Sequence, residues 1–349
     1  MIKPVLQAGL LTVLLALGIS PGFSQTSAGL KTLLSQKIGL SQDQIAAIQG
    51  GQPFAKNLES RTPAEIIVFG VVYINAAPES YVKFASDYAR LEQTGGFLAI
   101  KKLSTPPQMS DFQGFALDSD DIKGLKNCKP GQCVVQAPGG KIEEMRKSID
   151  WSAPNVDDQV NQYLQKAALA GVVRYQKEGN HIPDMVYNDK NQQVDRIDQF
   201  KYLISYAQTL QRDLPDFYNY IINYPEGKPP NVQDSFYWDS VKFGLKPTLR
   251  LVQVFTMRGD KPGEAAYVIA EKQLYSSHYF ETALDLTFCI RGGDDSKGPG
   301  FYLVKVMGSE QAGLTGMKGS IVRKVAVGRS VDGLRKSLAS IKTALETQK

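Results

Sequence analysis

Histidine is scarce in this chain, which limits where acid–base chemistry could occur. The 349 residues include two histidines, His181 and His278. His278 lies in the tetrapeptide Ser276–Tyr279, within the most apolar stretch of the sequence, Tyr267–Ile290. A histidine in this setting could orient a polar head group or exchange a proton near neutral pH. A core histidine bonded to a backbone carbonyl fits the same pattern, so both interpretations stay open.

A serine-based triad can be written from the neighbours of His278, but its geometry is unfavourable. It would combine Ser276 or Ser277 with His278 and Asp285. Successive residues of a strand point to opposite faces, so these side chains are not expected to converge.

The common catalytic and nucleotide-binding motifs are missing after residue 24. That part of the chain contains no H-E-x-x-H, G-x-S-x-G, G-x-x-x-x-G-K or G-x-G-x-x-G pattern. Their absence excludes most metal hydrolases, the common α/β-type serine hydrolases and nucleotide-dependent enzymes. No cofactor is therefore predicted, although a carboxylate pair such as Asp239 with Glu271 stays open as an acid–base site.

The cysteines favour a disulfide over a metal or redox site. Cys128 and Cys133 lie in NCKPGQC, where Pro130 and Gly131 can form a tight turn. An oxidising compartment would favour a disulfide between them. A redox or metal pair would need a C-x-x-C spacing or nearby His and Cys ligands, and neither is present. Cys289 is expected to be a buried free thiol.

An acidic cluster at Asp118, Asp120 and Asp121 invites comparison with a calcium-binding loop. An EF-hand loop starting at Asp118 would need an oxygen ligand at its fifth position and a glutamate at its twelfth. Those positions hold Ile122 and Lys129. The cluster is therefore predicted to be a solvated turn, and no metal site is predicted.

The N-terminus has the layout of a secretory signal peptide. Lys3 precedes an apolar run from Val5 to Ile19, and the helix-breaking Pro21 and the small residue Ser24 follow it. The run is shorter than the roughly 20 residues that a membrane-spanning helix needs. We expect cleavage after Ser24 and export to the periplasm or the extracellular space. An uncleaved anchor or a core helix is the alternative.

The charge balance is mild. Forty Lys and Arg against 35 Asp and Glu give a formal net charge of +5. The surplus is too diffuse for a nucleic-acid-binding stripe, so no nucleic-acid partner is predicted. A weak peripheral contact with an anionic membrane stays open, because scattered Lys and Arg also suit a solvated surface.

Apolar patterns locate the elements that would position these residues. Ile66–Ile74 is predicted as a strand and Ser80–Leu91 as a helix. Tyr267–Ile290 and Gly300–Val306 are predicted as strands too apolar to leave one face in water. A C-terminal helix from Ser330 could cover them. Its apolar stripe consists of Val331, Leu334, Leu338, Ile341 and Leu345.

The same patterns divide the chain into predicted parts. Residues 1–24 form the signal peptide and residues 25–60 an N-terminal helical segment. Residues 64–140 and 231–349 form an α+β core. Between them, residues 141–230 form a helical insertion, which Pro225–Pro230 closes.

The order of elements resembles a known superfamily. A strand ending at Asn75–Glu79, a helix with the sequence SYVKFASDYARL, antiparallel strands and a last helix beginning near Gly333-Leu334 are similar to START-like proteins. This superfamily, also called SRPBCC or helix-grip, includes polyketide cyclase-like and lipid-transfer proteins. The resemblance implies a curved, mostly antiparallel sheet gripping the C-terminal helix, with an apolar tunnel between them.

The resemblance implies an exported carrier of a hydrophobic small molecule, such as a lipid. Large amphipathic side chains and one histidine are the candidates to line the tunnel, because apolar-ligand pockets combine aromatic walls with a few polar groups. These candidates are Tyr237, Trp238, Phe243, Tyr275, His278, Tyr279, Phe280 and Tyr302.

Two other classes of function stay open. The protein could be an envelope module that binds a protein partner, for example through the Tyr-rich stretch Tyr218–Tyr224. It could also be a hydrolase-type or cyclase-type enzyme that uses His278. A closed apolar cavity would favour the carrier, whereas a cavity shared by His278 and a carboxylate would favour the enzyme.

Overall fold

The fold is α+β, as the sequence predicts. It contains an eight-stranded antiparallel sheet, a long C-terminal helix and several further helices. The predicted signal peptide (1–24) and Phe243 lie outside the described part of the chain. The computed structural model describes residues 27–93, 96–182, 186–242, 246–259, 265–292, 300–311 and 313–347.

Eight strands form the main sheet, in the order β1-β2-β10-β9-β8-β7-β6-β3, and β4 pairs with β5 in a separate two-stranded ribbon. All of the pairings are antiparallel. The strands are β1 (Phe54–Asn57), β2 (Glu65–Ile74), β3 (Ala99–Lys102), β4 (Val186–Tyr187), β5 (Val194–Asp195), β6 (Val232–Val241), β7 (Thr248–Arg258), β8 (Tyr267–Ser276), β9 (Phe280–Arg291) and β10 (Phe301–Gln311).

The helices lie before, between and after these strands. The helix predicted at Ser80–Leu91 is two helices that separate at Asp87. The helices are α1 (Ser27–Thr32), α2 (Gln42–Gln49), α3 (Pro78–Ser86), α4 (Tyr88–Gln93), α5 (Ser119–Leu125), α6 (Gly139–Ser148), α7 (Val156–Glu178), α8 (Arg196–Ile204), α9 (Gln208–Asp213), α10 (Pro215–Asn223) and α11 (Gly316–Glu346).

Strand β2 is buried along its whole length. Its sequence, EIIVFGVVYI, places apolar residues at successive positions, so both of its faces need cover. Helix α11 covers one face by packing along β2 and β1. A Cβ atom at Gly70 would lie 2.7 Å from Leu334 Cδ2 and 2.9 Å from Leu338 Cδ1. At this point, therefore, the side chains of Leu334 and Leu338 fill the space between α11 and β2.

Helices cover the opposite face of the sheet. Tyr220 of α10 meets Phe255 of β7 edge to face, with 5.5 Å between ring centroids. Tyr175 of α7 stacks on Tyr224 at 5.3 Å. These aromatic contacts attach the helical part of the chain to the sheet through buried apolar surface.

Helix α11 begins at Gly316 and not at Ser330, where the sequence predicts it to start. The earlier start depends on Gly319, because a Cβ atom there would lie 2.5 Å from the carbonyl carbon of Leu314. The helix spans 31 residues. Within the described ranges, no helix combines the length and the apolar character needed to cross a membrane.

The predicted disulfide is confirmed. Cys128 and Cys133 are bonded, with 4.5 Å between their Cα atoms. Cys289 is a buried free thiol, as the sequence predicts. The disulfide is compatible with an oxidising compartment.

The close approach of α11 to β2 predicts that Gly70→Ala destabilises the fold by about 1–3 kcal/mol, because the new methyl group overpacks Leu334 and Leu338. Urea unfolding measures the change. Gly171→Ala in α7 is the matched control, because a Cβ atom there meets nothing within 4 Å. The control should be neutral or stabilising, since alanine favours a helix more than glycine does. Equal stabilisation by both substitutions would contradict the packing.

Candidate functional site

The residues predicted to line one tunnel lie in different parts of the structure. Tyr237 and Trp238 are neighbours on β6 and project to opposite faces of the sheet. Tyr237 packs against Tyr88, with 5.4 Å between ring centroids, and donates to Glu271 Oε1 at 3.0 Å. Trp238 donates from its indole nitrogen to the carbonyl of Asp111 at 2.8 Å. These two aromatic residues therefore face different surroundings.

The remaining aromatic candidates also divide into groups. Tyr275 and Tyr302 belong to the core beneath the helices, and Tyr302 meets Tyr73 edge to face at 5.1 Å. Phe280 begins β9 and is buried. Contact of any of these residues with a ligand stays a prediction.

His278 and Tyr279 are brought together in the turn between β8 and β9. Tyr279 has a φ of +64°, which is uncommon for a residue other than glycine. Its hydroxyl accepts a hydrogen bond from the backbone nitrogen of Lys246 at 3.1 Å. An unfavourable backbone conformation persists where the surrounding structure holds it, and such positions are concentrated at functional sites.

His278 is paired with Asp121. Its Nε2 lies 2.6 Å from Asp121 Oδ2, and Lys246 Nζ contacts Oδ1 of the same carboxylate. Although burial opposes ionisation, hydrogen bonds from His278 and Lys246 hold the pKa of Asp121 below its ordinary value. The ionised carboxylate favours the proton on Nε2, so Nδ1 carries the lone pair that can accept a proton.

The acidic cluster near Asp121 starts a helix and is not entirely a solvated turn. Asp118 caps α5 by accepting a hydrogen bond from the backbone nitrogen of Asp121 at 2.8 Å. The capped helix turns Asp121 inward, where 1% of its surface is exposed. Asp120 stays exposed and pairs with Lys123 at 3.2 Å. One carboxylate of the cluster is thus available to His278.

A cavity of about 690 Å³ adjoins this pair, which is within the range of about 300–1,000 Å³ typical of small-molecule sites. We call it the His278 pocket. Most of the residues that line it have polar side chains, but apolar atoms supply the larger part of the lining surface. The lining consists of Ala64, Val134, Gln136, Tyr187, Asp189, Lys190, Gln192, Val194, Gln199, Lys246, Ser277, His278, Tyr279, Glu281, Glu310, Gln311, Gly313 and Thr315.

The disulfide segment forms one wall of the pocket. The backbone nitrogen of Gln136 donates to the carbonyl of Ser277 at 2.9 Å. The backbone nitrogen of Cys133 donates to the carbonyl of Asp189 at 2.8 Å, and Lys190 Nζ donates to the carbonyl of Cys133 at 3.0 Å. The Cys128–Cys133 bond therefore holds a segment that contacts both the histidine turn and the β4–β5 ribbon.

Three carboxyl groups lining the pocket have pKa values above the ordinary range. Burial raises the pKa of Asp189 and of Glu281. Burial, with the neighbouring charges of Glu281 and Glu65, raises the pKa of Glu310 to about 7. Raised carboxyl pKa values in a cavity are typical of binding and acid–base sites, although structural networks also produce them.

Two buried oxygen atoms of the pocket lining have no hydrogen-bond donor among the residues that the structure describes. They are Oδ2 of Asp189 and Oε1 of Gln199. Lys190 Nζ lies 3.7 Å from the former, an ion-pair contact rather than a hydrogen bond. The Nε2 of Gln199 donates to Glu281 at 3.2 Å. Buried acceptors of this kind are commonly satisfied by a water molecule or a ligand that donates hydrogen bonds.

The serine-based triad does not form. The carboxylate beside His278 is Asp121, whereas Asp285 lies on the opposite face of the sheet, where Glu271 stands across from it. Ser277 Oγ accepts a hydrogen bond from the backbone nitrogen of Leu249 at 3.0 Å. The pocket thus offers an acid–base pair without an evident nucleophile.

A second group of charged residues lies on the sheet face toward α3. Asp239 is held by Arg250 through two hydrogen bonds of 2.8 and 2.5 Å. Burial and the charge of Glu271 raise the pKa of Asp285 to about 7. Lys305 donates to a tyrosine of α3 at 3.3 Å. The pair Asp239 and Glu271, left open by the sequence, thus falls in one network, with Asp239 engaged by arginine.

No group of three or more His, Cys, Asp or Glu side chains within the described ranges is arranged to hold a metal ion.

Comparisons with known protein families, with curated proteins and with solved structures found no match. The chemistry of the site therefore has to be inferred from its own geometry.

Sequence analysis singled out His278 and, separately, Asp121, but it missed their pairing and the other acidic residues of the pocket. Asp121 precedes His278 by 157 positions. Glu281 and Glu310 lie at strand ends, where a charged residue is ordinary. One signal was available, because Glu310 is a charged residue at a core-facing position, in the same alternation as Tyr302 and Val304 of β10.

Replacing Asp121 with asparagine should destabilise the protein by about 2 kcal/mol at pH 7, because two charge-assisted hydrogen bonds are lost. A carboxylate with a lowered folded-state pKa stabilises the fold above about pH 4 and loses this effect as the pH falls further. The difference between variant and wild type should therefore shrink in acid. Denaturant unfolding at several pH values measures it, and Asp120→Asn, at an exposed site, is the control. Similar effects of both substitutions would contradict the pairing.

Replacing Glu310 with glutamine should stabilise the unliganded protein by about 1–3 kcal/mol at pH 8. A carboxyl group with a raised folded-state pKa loses stability as the pH rises from about 4.5 to 7, because the unfolded state ionises first. The gain should therefore vanish near pH 4. Thermal or denaturant unfolding across this range measures it, and a gain that does not depend on pH would contradict the prediction.

Proposed function

We propose that the protein binds a small polar molecule in the His278 pocket. The observation that carries this proposal is a cavity of about 690 Å³ that is lined by His278, Glu281 and Glu310. Two buried acceptors that lack donors, Asp189 Oδ2 and Gln199 Oε1, belong to residues of the same lining. A ligand carrying several hydroxyl or amino groups would donate to the carboxyl groups, and would satisfy the two buried acceptors once the side chains that cover them shift. Unsatisfied buried acceptors destabilise the empty protein, so a donor-rich ligand would gain affinity by filling the pocket.

The carboxyl groups favour the same class of ligand. Burial is the main cause of the raised pKa values of Glu281 and Glu310. The charge of Asp189 adds to the effect at Glu281, and the charges of Glu281 and Glu65 add to it at Glu310. A hydroxyl group could donate to either Glu281 or Glu310, and an amino group could carry the compensating charge. His278, oriented by Asp121, shares the cavity with Glu281 and Glu310, which is the arrangement expected of an enzyme. Slow turnover of the ligand therefore fits the site as well as simple binding does.

A hydrophobic ligand between the sheet and α11 is the second candidate function. On the face of the sheet that α11 covers, strands other than β2 carry partly exposed apolar residues, including Val254, Tyr267 and Met307. The charged network that includes Lys305 lies on the same face. An amphipathic molecule could place its apolar body there and its polar end on the charges. We also propose the START-like, helix-grip relationship, which the position of α11 against β2 supports.

We further propose that the protein is exported after cleavage at Ser24. The Cys128–Cys133 disulfide is compatible with this, because such bonds persist in oxidising compartments. The intact mass of the protein purified from its own cells would show the cleavage directly. A mass that includes residues 1–24 would contradict it.

Native mass spectrometry of that purified protein, followed by extraction and identification of bound molecules, tests both candidate functions. We expect a stoichiometric polar molecule that Glu310→Gln binds more weakly, because the neutral amide oxygen is a weaker acceptor than a carboxylate. Glu226→Gln is the matched control, since Glu226 is exposed and outside the pocket.

The alternatives give distinct results. An apolar molecule retained equally by wild type and Glu310→Gln would replace the pocket proposal with the second candidate. A protein that carries no molecule and takes up none from a total cell extract would contradict both, and would favour a module that binds a protein partner.

A further inference from the structure

Exposed apolar side chains are concentrated at the start of α11. Met317 is 91% exposed, Ile321 70%, Val322 54% and Val325 50%. Single exposed apolar residues are ordinary on a protein surface, but a contiguous group marks an interaction site. These four lie within three turns of one helix.

Helical geometry aligns three of them. Met317, Ile321 and Val325 are spaced by four residues, so they form one stripe along the helix. At about 100° per residue, Lys318 projects to one side of this stripe and Lys324 to the other. Both lysines are exposed. The surface is thus an apolar stripe flanked by cations, and we call it the α11 stripe.

The α11 stripe is held facing outward. Arg323, on the inner side of the helix, donates to the carbonyl of Pro63 at 3.0 Å, to Ser60 Oγ at 2.9 Å and to the carbonyl of Glu65 at 3.1 Å. Gly319 lies against the backbone of the preceding loop. These contacts fix the rotation of the helix, so the apolar stripe cannot turn toward the protein body.

The charged residues of α11 that precede Asp332 all have one sign. No acidic residue occurs between Glu310 and Asp332, whereas Lys318, Lys324 and Arg329 are exposed in that interval. Protein interfaces are depleted of lysine at their centre, while helices that lie on membranes combine an apolar face with flanking Lys and Arg. The complement to this surface is therefore apolar at its centre and anionic around it.

We propose that the α11 stripe docks the protein on an anionic lipid bilayer. Met317, Ile321 and Val325 enter the boundary between headgroups and acyl chains, and the flanking lysines contact anionic headgroups. The helix lies in the plane of the surface and does not cross the bilayer, which agrees with its apolar face being a narrow stripe.

Vesicle flotation of the full chain tests the proposal. Wild type should float with phosphatidylglycerol–phosphatidylethanolamine vesicles and not with phosphatidylcholine vesicles, and binding should weaken as salt is raised. The double substitution Ile321→Ser/Val325→Ser should reduce binding at least about tenfold, as should Lys318→Gln/Lys324→Gln. Val173→Ser in α7 is the control, because Val173 is also 50% exposed and should leave binding unchanged.

Several outcomes would overturn the proposal. The wild-type protein could fail to bind the anionic vesicles, or it could bind both vesicle types equally. The control Val173→Ser could also reduce binding as much as the stripe substitutions do. Size-exclusion chromatography with light scattering tests whether a second copy of the chain covers the α11 stripe instead. A dimer that the stripe substitutions disperse, without vesicle binding, would assign the surface to self-association.

Discussion

The burial of β2 on both faces is the constraint on which the rest of the structure depends. All ten residues of this strand are buried, so neither of its faces meets water and both faces have to be covered. Helix α11 provides this cover on one side, and Gly70 lets the helix backbone come close. On the other side α2 packs against β2, and α8 packs against the neighbouring strands β9 and β10. The layers thus follow from the composition of one strand.

The helical cover is located by polar bonds as well as by apolar contact. Lys272 on β8 is 2% exposed, and its Nζ donates to Tyr175 of α7 at 3.1 Å and to the side-chain oxygen of Asn180. Burial lowers the pKa of Lys272 to about 7, and the charge of Arg196 adds to the effect. Directional bonds of this kind fix the position of a helix on a sheet more uniquely than apolar contact does.

The sequence predicts features that depend on neighbours in the chain and misses those that depend on distant pairs. The α+β class, strand β2 and the Cys128–Cys133 bond follow from local patterns, and the structure contains them. The pairing of His278 with Asp121 joins segments whose meeting depends on the whole topology. Because side chains alternate along a strand, the sequence alone could have assigned Tyr237 and Trp238 to opposite faces of the sheet. The start of α11 at Gly316 instead of Ser330 could not be predicted, because the packing of Gly319 on Leu314 leaves no sequence pattern.

The loop that leads into α11 belongs to two surfaces at once. Gly313 and Thr315 line the His278 pocket, and Met317 is exposed two residues later. A chain resting on a bilayer through Met317 would hold the pocket rim at the headgroup layer. Solutes retained in that layer would reach the pocket by lateral diffusion, at an effective concentration set by the surface and not by the bulk phase. Affinity measured in free solution would then understate occupancy at the membrane.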